Sequence, residues 1–339
     1  MKFYAEEFKP DQAEKVGILL VNLGSPEAPT AGAIRRFLKE FLSDHRVVEI
    51  PKVLWQLILN FFILPLRPGK LVPLYQSIWT PEGSPLVSIA HKQKEKLETE
   101  FKDRAANTEL TFALAMRYGK PDIASAVRQL ARDNARKILV FPTYAQYSGT
   151  TTASIFDAVT SEFQQWRWVP ELRFINQYYD QDKYIQALAD SVQTHWQSHV
   201  RGQKLVISFH GLPKANYLKG DPYFDQCHKT AQLLAVELGL DESQWLITFQ
   251  SRFGKAEWLK PYTSDTLQNL AEQGVNSVDI ICPGFAIDCL ETLEEIKVEN
   301  RDVFLQAGGK DYHYIPALND SAVNINAMAN LIEQHIQGW

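Results

Sequence analysis

The chain has 339 residues, of which 45% are hydrophobic and 22% charged, and its formal net charge is −5. This composition is typical of a soluble globular protein with two domains, and without a block of Lys or Arg it argues against a nucleic-acid partner. Three cysteines, an odd number, indicate a reducing compartment rather than a disulfide framework. Residues 1–9 are charged and lack the apolar core of a signal peptide, so we expect a cytoplasmic protein.

Strands alternate with helices in the first half of the chain. An apolar run over residues 16–24 predicts a buried strand that ends in a Gly-Ser-Pro turn, and apolar spacing over 30–42 predicts a helix. Further strands are predicted at 110–116, 138–142 and 172–175, and further helices at 123–134 and 184–197.

Residues 53–66 form the most apolar segment. Gln56 and Asn60 interrupt it and Pro65 is expected to end it, so its fourteen residues fall short of the roughly 20 that span a bilayer. A buried helix is the default interpretation of such a segment.

The second half repeats the alternation. Strands are predicted at 205–209, 245–249 and 278–282, and helices at 222–238, 263–273, 290–298 and 321–336. The whole pattern predicts an α/β fold with two Rossmann-like domains, each built on a parallel sheet covered on both faces. We place the first domain at 1–175 and the second at 176–320, with a C-terminal helix in 321–339 that packs back on the first. Neither glycine-rich phosphate-loop pattern occurs, which disfavours a dinucleotide or NTP enzyme.

A histidine follows the strand predicted at 205–209. His210 and Gly211 end that strand and Pro213 prevents its continuation, so the histidine lies just past the carboxyl end. Ligands bind at that edge of open parallel α/β sheets. A loop histidine satisfied by a backbone carbonyl is the alternative.

A row of carboxylates follows the strand predicted at 278–282. Glu291, Glu295 and Glu299 stand four residues apart on one face of the predicted helix. Each such like-charge pair costs about 0.2–0.5 kcal/mol. The alternatives are a solvated face, a capping arrangement of Asp288 with Glu291, and a surface that handles cations.

Both segments, 205–223 and 278–295, resemble the ferrochelatases, the enzymes that insert ferrous iron into a porphyrin. The resemblance implies two chelatase-type domains with an active-site cleft between them. It implies a pair that is both catalytic and metal-binding, His210 and Glu291, and an acidic row beside it, Glu295, Glu299 and Asp288.

Segments 22–27, 116–119, 141–152 and 250–261 resemble the same family. In the segment 141–152, a predicted strand leads into hydroxyl-rich residues at the start of a helix. Such residues can bind the propionates of a porphyrin, and ordinary Ser/Thr capping of the helix is the alternative. In this family the segment matching 53–66 forms a lip over the active-site mouth, suited to peripheral membrane contact. The expected porphyrin-binding residues are Arg67, Lys70, Arg117, Tyr118, Tyr144, Tyr147, Ser148 and Trp258, the last with a core position as its alternative.

Metal insertion replaces two pyrrole protons, so it needs a metal ligand and a proton acceptor. A neutral imidazole serves either purpose near neutral pH, and a carboxylate row can draw in a cation and relay protons. The sequence leaves open which of His210 and Glu291 does which. Many relatives have a histidine where this chain has Cys289, for which a small apolar filler is the favoured role.

The resemblance further implies that the substrates are Fe²⁺ and protoporphyrin IX, and the product protohaem, at the last step of haem biosynthesis. A coproporphyrin ferrochelatase and a non-catalytic tetrapyrrole or metal carrier are the alternatives. We expect no tightly bound cofactor, and no iron–sulfur cluster, because no cysteine follows Cys289. The protein is expected in the cytoplasm, at most peripheral at the inner membrane face.

Overall fold

The computed structural model describes residues 3–5, 11–104, 109–254 and 256–339, so most of the charged N-terminus considered above lies outside the described residues. The chain divides into two compact units. Unit 1 comprises Met1–Tyr144, Ser148–Asn176 and Met328–Trp339, and unit 2 comprises Ala145–Tyr147 and Gln177–Ala327. The domain limits that we placed at 175 and 320 stay predictions.

Unit 1 is built on a four-stranded parallel sheet. Its strands are β1 (Lys15–Asn22), β2 (Leu110–Met116), β3 (Ala135–Pro142) and β4 (Glu171–Phe174), in the order β2-β1-β3-β4. The strands are nearly continuous apolar runs because helices cover both faces of the sheet. Its helices are α1 (Ala31–Leu42), α2 (Lys52–Ile58), the π-helix π1 (Leu59–Ile63), α3 (Leu64–Ile78), α4 (Pro85–Asp103), α5 (Ile123–Arg132) and α6 (Thr152–Phe163).

Unit 2 repeats the same plan. Its strands are β5 (Lys204–His210), β6 (Trp245–Gln250), β7 (Ser277–Ile281) and β8 (Asp311–Tyr314), all parallel in the order β6-β5-β7-β8. The two sheets confirm the predicted α/β class. Its helices are α7 (Asp182–Ser198), α8 (Lys214–Leu218), α9 (Tyr223–Glu237), α10 (Thr263–Glu272), the π-helix π2 (Glu291–Asn300) and α11 (Arg301–Gln306), while α12 (Ala322–Ile336) has residues in both units.

The apolar segment is part of a longer helix than predicted. Helices α2, π1 and α3 run without a break from Lys52 to Ile78, 27 residues that by length and composition alone reach what a membrane span needs. Pro65 does not end the helix, because it lies in the first turn of α3 directly after the π-helical turn. Only 17% of the most apolar window is buried, so the default of a buried helix was wrong as well.

The helix predicted at 290–298 is a π-helix rather than an α-helix. Side chains from other elements donate hydrogen bonds to its carbonyls: Gln250 Nε2 to the Glu291 oxygen at 2.9 Å and the Tyr312 hydroxyl to the Ile296 oxygen at 2.7 Å. Because these carbonyl oxygens accept hydrogen bonds from side chains outside the helix, they do not need the regular hydrogen bonds of an α-helix. The wider turn of a π-helix is therefore tolerated here.

Candidate active site

His210 stands at the carboxyl end of β5, as predicted. The five residues before it are buried, whereas His210 itself is half-buried. Its Nδ1 lies 2.6 Å from the Gly211 carbonyl oxygen, which can only accept, so Nδ1 donates. With Nδ1 as the donor, the neutral form of the ring has its lone pair on Nε2, where it can bind a metal ion or a proton. The hydrogen bond to a backbone carbonyl that was considered as the alternative is therefore present. It orients the ring and leaves the other ring nitrogen available.

The loop after His210 packs against the segment that carries Trp258. Gly211 donates its N–H to the Gln250 carbonyl oxygen at 2.8 Å, and Leu259 donates to the Leu212 oxygen at 2.9 Å. A Cβ at Gly211 would lie 2.7 Å from the Gln250 oxygen and 3.2 Å from Cε3 of Trp258, so only glycine fits. The half-buried indole thus lies against the residue that follows His210.

Gln250, at the end of β6, ties three elements of the site together. Its buried amide accepts from the Ser208 hydroxyl at 2.9 Å and donates to the backbone oxygen of Glu291 at 2.9 Å. Gln250 opens the segment 250–261 that resembles the family, but its role in the site is not apparent from the sequence. A buried polar side chain at a strand's carboxyl end was the available signal.

Glu295 is a half-buried carboxylate of π2, four residues after Glu291. Burial raises its pKa above the ordinary value of 4.5 and the charge of Glu291 adds to that effect, although Ser251 and the charge of His210 act to lower it. Ser251 donates to it from both its backbone N and its hydroxyl. His210 and Glu291 are therefore close enough to influence the pKa of Glu295, and a carboxyl with a raised pKa is suited to accept a proton.

Glu291 is half-buried at the first position of π2, and the thiol of Cys289 donates a hydrogen bond to its carboxylate. Burial, with the Glu291 charge second, raises the pKa of that thiol well above its ordinary value, so Cys289 stays protonated. The cysteine is a buried filler, as predicted, and in addition a donor to the candidate catalytic carboxylate.

Asp288 does not belong to a free acidic row. Its carboxylate accepts hydrogen bonds from Tyr314 at 2.5 Å, Asn319 at 2.8 Å and Thr292 at 3.0 Å, and it is buried. Its backbone N–H donates to the Asn319 side chain, so Glu291 does not complete the capping box considered from the sequence. Asp288 instead fixes the loop that starts π2.

The last carboxylate of the predicted row, Glu299, is exposed. Its charge adds to burial in raising the pKa of Glu294, five residues earlier, which a π-helix brings to the same side. The structure therefore brings together Glu291 and Glu295 beside His210, and leaves Glu299 toward solvent.

In unit 1, Arg117 is held by an aspartate that the sequence analysis did not identify. Its Nη2 donates to Asp44 at 2.6 Å and its Nε to the Ser154 hydroxyl at 2.7 Å. Burial acts to raise the pKa of Asp44, but hydrogen bonds from Ser154, the Arg46 backbone and Tyr118, with the Arg117 charge, lower it overall. An open depression of about 470 Å³ beside this pair is lined by Arg36, Lys39, Glu40, Ser43, Asp44 and Arg117.

The other predicted porphyrin contacts are spread over both units. Tyr118 is 1% exposed with its hydroxyl on Asp44, and Ser148 is 1% exposed with its hydroxyl on Thr150, so both support neighbouring residues and present no surface to a ligand. Tyr144 packs against the unit 1 core and Tyr147, half-buried, lies in unit 2. On α3, Arg67 is half-buried and Lys70 exposed.

Residues 15–336 match the family model described as Ferrochelatase. A ferrochelatase of Nitrosococcus oceani is 54% identical over 98% of this chain and 90% of its own length. A ferrochelatase of Thioalkalivibrio sulfidiphilus is 51% identical over 100% of this chain and 92% of its own length. A ferrochelatase of Janthinobacterium is 55% identical over 96% of this chain and 88% of its own length.

Solved structures show the same fold at low sequence identity. The Bacillus subtilis protein described as SirB with Fe³⁺ superposes with a TM-score of 0.55 at 11% identity, covering 95% of this chain and 96% of that one. CbiX, described as the terminal enzyme of sirohaem biosynthesis in denitrifying bacteria, gives 0.50 at 12% identity over 95% and 100%. With a family model over nearly its whole length and relatives above 50% identity, the chain belongs to the ferrochelatase family, whose members insert a metal ion into a porphyrin.

Proposed function

We propose that this chain inserts Fe²⁺ into protoporphyrin IX, giving protohaem and two protons, at the site formed by His210, Glu291 and Glu295. The observation that carries the proposal is the fixed ring of His210, whose Nδ1 donates to the Gly211 carbonyl and whose Nε2 keeps a lone pair beside two carboxylates. A base next to an acidic relay is what the removal of two pyrrole protons requires.

In the proposed reaction, Nε2 of His210 accepts a pyrrole proton as the iron–nitrogen bonds form. The resulting imidazolium and the Glu295 carboxylate stabilise each other, because a positive charge on His210 acts to lower the pKa of Glu295. Glu295 and Glu291 then take the protons on, helped by the raised pKa of Glu295. Both protons leave as H⁺, and the iron stays ferrous, so the step needs no oxidant or reductant.

Trp258 supports this placement of the porphyrin. The indole is half-buried against Gly211 next to the catalytic histidine, where a flat aromatic surface favours a macrocycle through stacking and burial of apolar area. Distortion of the ring exposes the nitrogen lone pairs, so a site that binds the distorted ring best accelerates insertion.

The choice of protoporphyrin rests on the surface of the helix Lys52–Ile78. Phe61, Phe62 and Leu66 are 66–70% exposed, an apolar surface that matches vinyl groups better than carboxylates. Coproporphyrin carries four propionates instead of two, and burying the extra pair against apolar side chains would cost desolvation.

The test is anaerobic incubation of the wild type with Fe²⁺ and each porphyrin in turn, followed by haem absorbance. We expect turnover with both and a higher kcat/KM for protoporphyrin. Faster use of coproporphyrin would overturn the choice of substrate while the chelatase activity stands. Binding of both porphyrins without turnover would identify a carrier and overturn the catalytic proposal.

The same exposed surface supports a second proposal, a peripheral contact with the cytoplasmic face of a membrane. Three free cysteines, all buried, are compatible with a reducing compartment. Co-sedimentation with phospholipid vesicles tests the contact, which should weaken when Phe61 and Phe62 are both replaced by Ser. Equal sedimentation of the wild type and that variant would contradict it.

A further inference from the structure

A second group of metal-ligating side chains lies in unit 2, apart from the His210 site. His195 on α7, Asp279 on β7 and His313 on β8 each offer one ligand atom, and these atoms all lie within 4.8 Å of one another. In the part of the chain that the structure describes, this is the one group of at least three His, Cys, Asp or Glu side chains whose ligand atoms lie so close together.

The group is separated from the candidate active site by the sheet itself. Val278 and Ile280 pack into the core with Ile296 of π2, so strand alternation points Asp279 to the opposite face, where α7 lies. Asp279 pairs in register with Leu205, five residues before His210. At about 3.3 Å per residue, the two sites are about 16 Å apart along the strand.

Asp279 has a buried carboxylate whose two oxygens accept different numbers of hydrogen bonds. Oδ2 accepts from Trp196 Nε1 at 2.6 Å and from the Gly202 N–H at 2.8 Å, whereas Oδ1 accepts from Nδ1 of His313 at 2.9 Å. Two ligand atoms bonded to one ion with tetrahedral geometry, each at about 2.1 Å, lie about 3.4 Å apart. The 2.9 Å between Oδ1 and Nδ1 has to widen by only about 0.5 Å for both atoms to bind the same ion.

His195 has a buried ring nitrogen that is available to a ligand. Its Nε2 is buried and has no hydrogen-bond partner, which is unfavourable for a polar nitrogen. The ring of His199 stacks on it at 4.1 Å, and Nδ1 of His199 lies 3.2 Å from the His195 carbonyl oxygen, so the imidazole is held in place. His195 is half-buried and the side chain of His313 is 24% exposed, so an ion from solvent can reach both.

We propose that His195, Asp279 and His313 bind one divalent first-row transition-metal ion, such as Zn²⁺ or Fe²⁺. Two imidazoles and one carboxylate form a ligand set suited to these ions. Ligand atoms at about 2.1 Å from one ion are at most about 4.2 Å apart, so the ring of His195 turns inward slightly on binding. Trp196 and Gly202 hold Asp279 in place as the second layer around the ion.

The experiment measures Zn²⁺ binding by isothermal titration in the full chain carrying His210→Ala and Glu291→Gln. That background removes the ligands of the proposed active site, so the result does not depend on the proposed function. His195→Gln and His313→Gln are each added to the background. His228→Gln is the matched control, because His228 is also half-buried in unit 2 with an unpartnered Nε2, but its ring neighbours are Phe224 and Phe249.

We expect one Zn²⁺ per chain in the background and in the His228→Gln control, and at least tenfold weaker binding in both other variants. Co²⁺ added to the background should give visible absorption bands that the same two variants lack. Melting temperatures measured without metal identify a variant that fails to fold, and the other histidine variant then decides. No binding in the background, or equal binding in all four proteins, would overturn the proposal.

Discussion

Ser251 holds both carboxylate oxygens of Glu295, with its backbone N 2.7 Å from Oε1 and its hydroxyl 2.5 Å from Oε2. It does so with a φ of +66°, a left-handed conformation that costs a non-glycine residue about 1 kcal/mol or more. The strained backbone directs two donors of one residue to the same carboxylate. Glu295 is therefore fixed in position before any substrate arrives, as a proton acceptor in a preorganised site should be.

Glu295→Gln tests the raised pKa of that carboxyl. A carboxyl whose pKa is higher in the folded than in the unfolded state stabilises the protein fully below the unfolded pKa, and this contribution is lost as pH rises through the folded pKa. The free energy of unfolding of the wild type should thus decrease more steeply than that of the variant from about pH 4.5 upward. Urea denaturation at a series of pH values measures both slopes, and equal slopes would mean that the pKa is not raised.

Glu291→Gln separates a catalytic carboxylate from a structural one. The amide keeps the shape and accepts the Cys289 hydrogen bond, so we expect a nearly unchanged melting temperature and a kcat lower by about 10²–10⁴. Glu299→Gln, an exposed change on the same helix, is the control and should leave turnover unaltered. Lower stability with normal turnover would assign Glu291 a structural role only.

Asp44→Asn should destabilise the protein by about 2–3 kcal/mol, because it leaves the largely buried guanidinium of Arg117 without its counter-charge. Chemical denaturation measures the loss. The control is Asp157→Asn, whose ion pair with Arg46 is roughly half exposed and should contribute no more than about 1 kcal/mol. Similar losses in both variants would contradict a special role for Asp44.

Phe62→Glu tests whether the helix Lys52–Ile78 selects the porphyrin. Glutamate at this position removes an apolar contact that favours the vinyl groups of protoporphyrin, which coproporphyrin lacks, so kcat/KM should fall further for protoporphyrin than for coproporphyrin. Val236→Glu introduces the same charge on an exposed position of α9 and should change neither value. An equal fall for both porphyrins would show that Phe62 does not discriminate between them.

The sequence predicts the alternating strands and helices and the place of His210, because apolar runs, glycine and proline mark where strands end. It also picks out Glu291, Glu295 and Trp258, which the structure brings to the same unit as His210. The donors that allow a π-helix, Gln250 and Tyr312, come from other elements and are invisible to local periodicity.

Three further features were beyond sequence reasoning for related reasons. The Ser251 contact depends on a single backbone angle, which a serine gives no reason to expect. Asp44 meets Arg117 across 73 residues of chain. Pro65 was taken as a helix end because the π-helical turn before it could not be foreseen.

The most direct test of the account is the rate of Fe²⁺ insertion into protoporphyrin by His210→Ala, measured anaerobically beside the wild type and a His228→Ala control. Porphyrin binding, followed by fluorescence, should be retained in all three proteins. We predict that turnover falls by about 10²–10⁴ in His210→Ala and stays near the wild-type rate in the control. Near-normal turnover in His210→Ala would contradict the assignment of the active site.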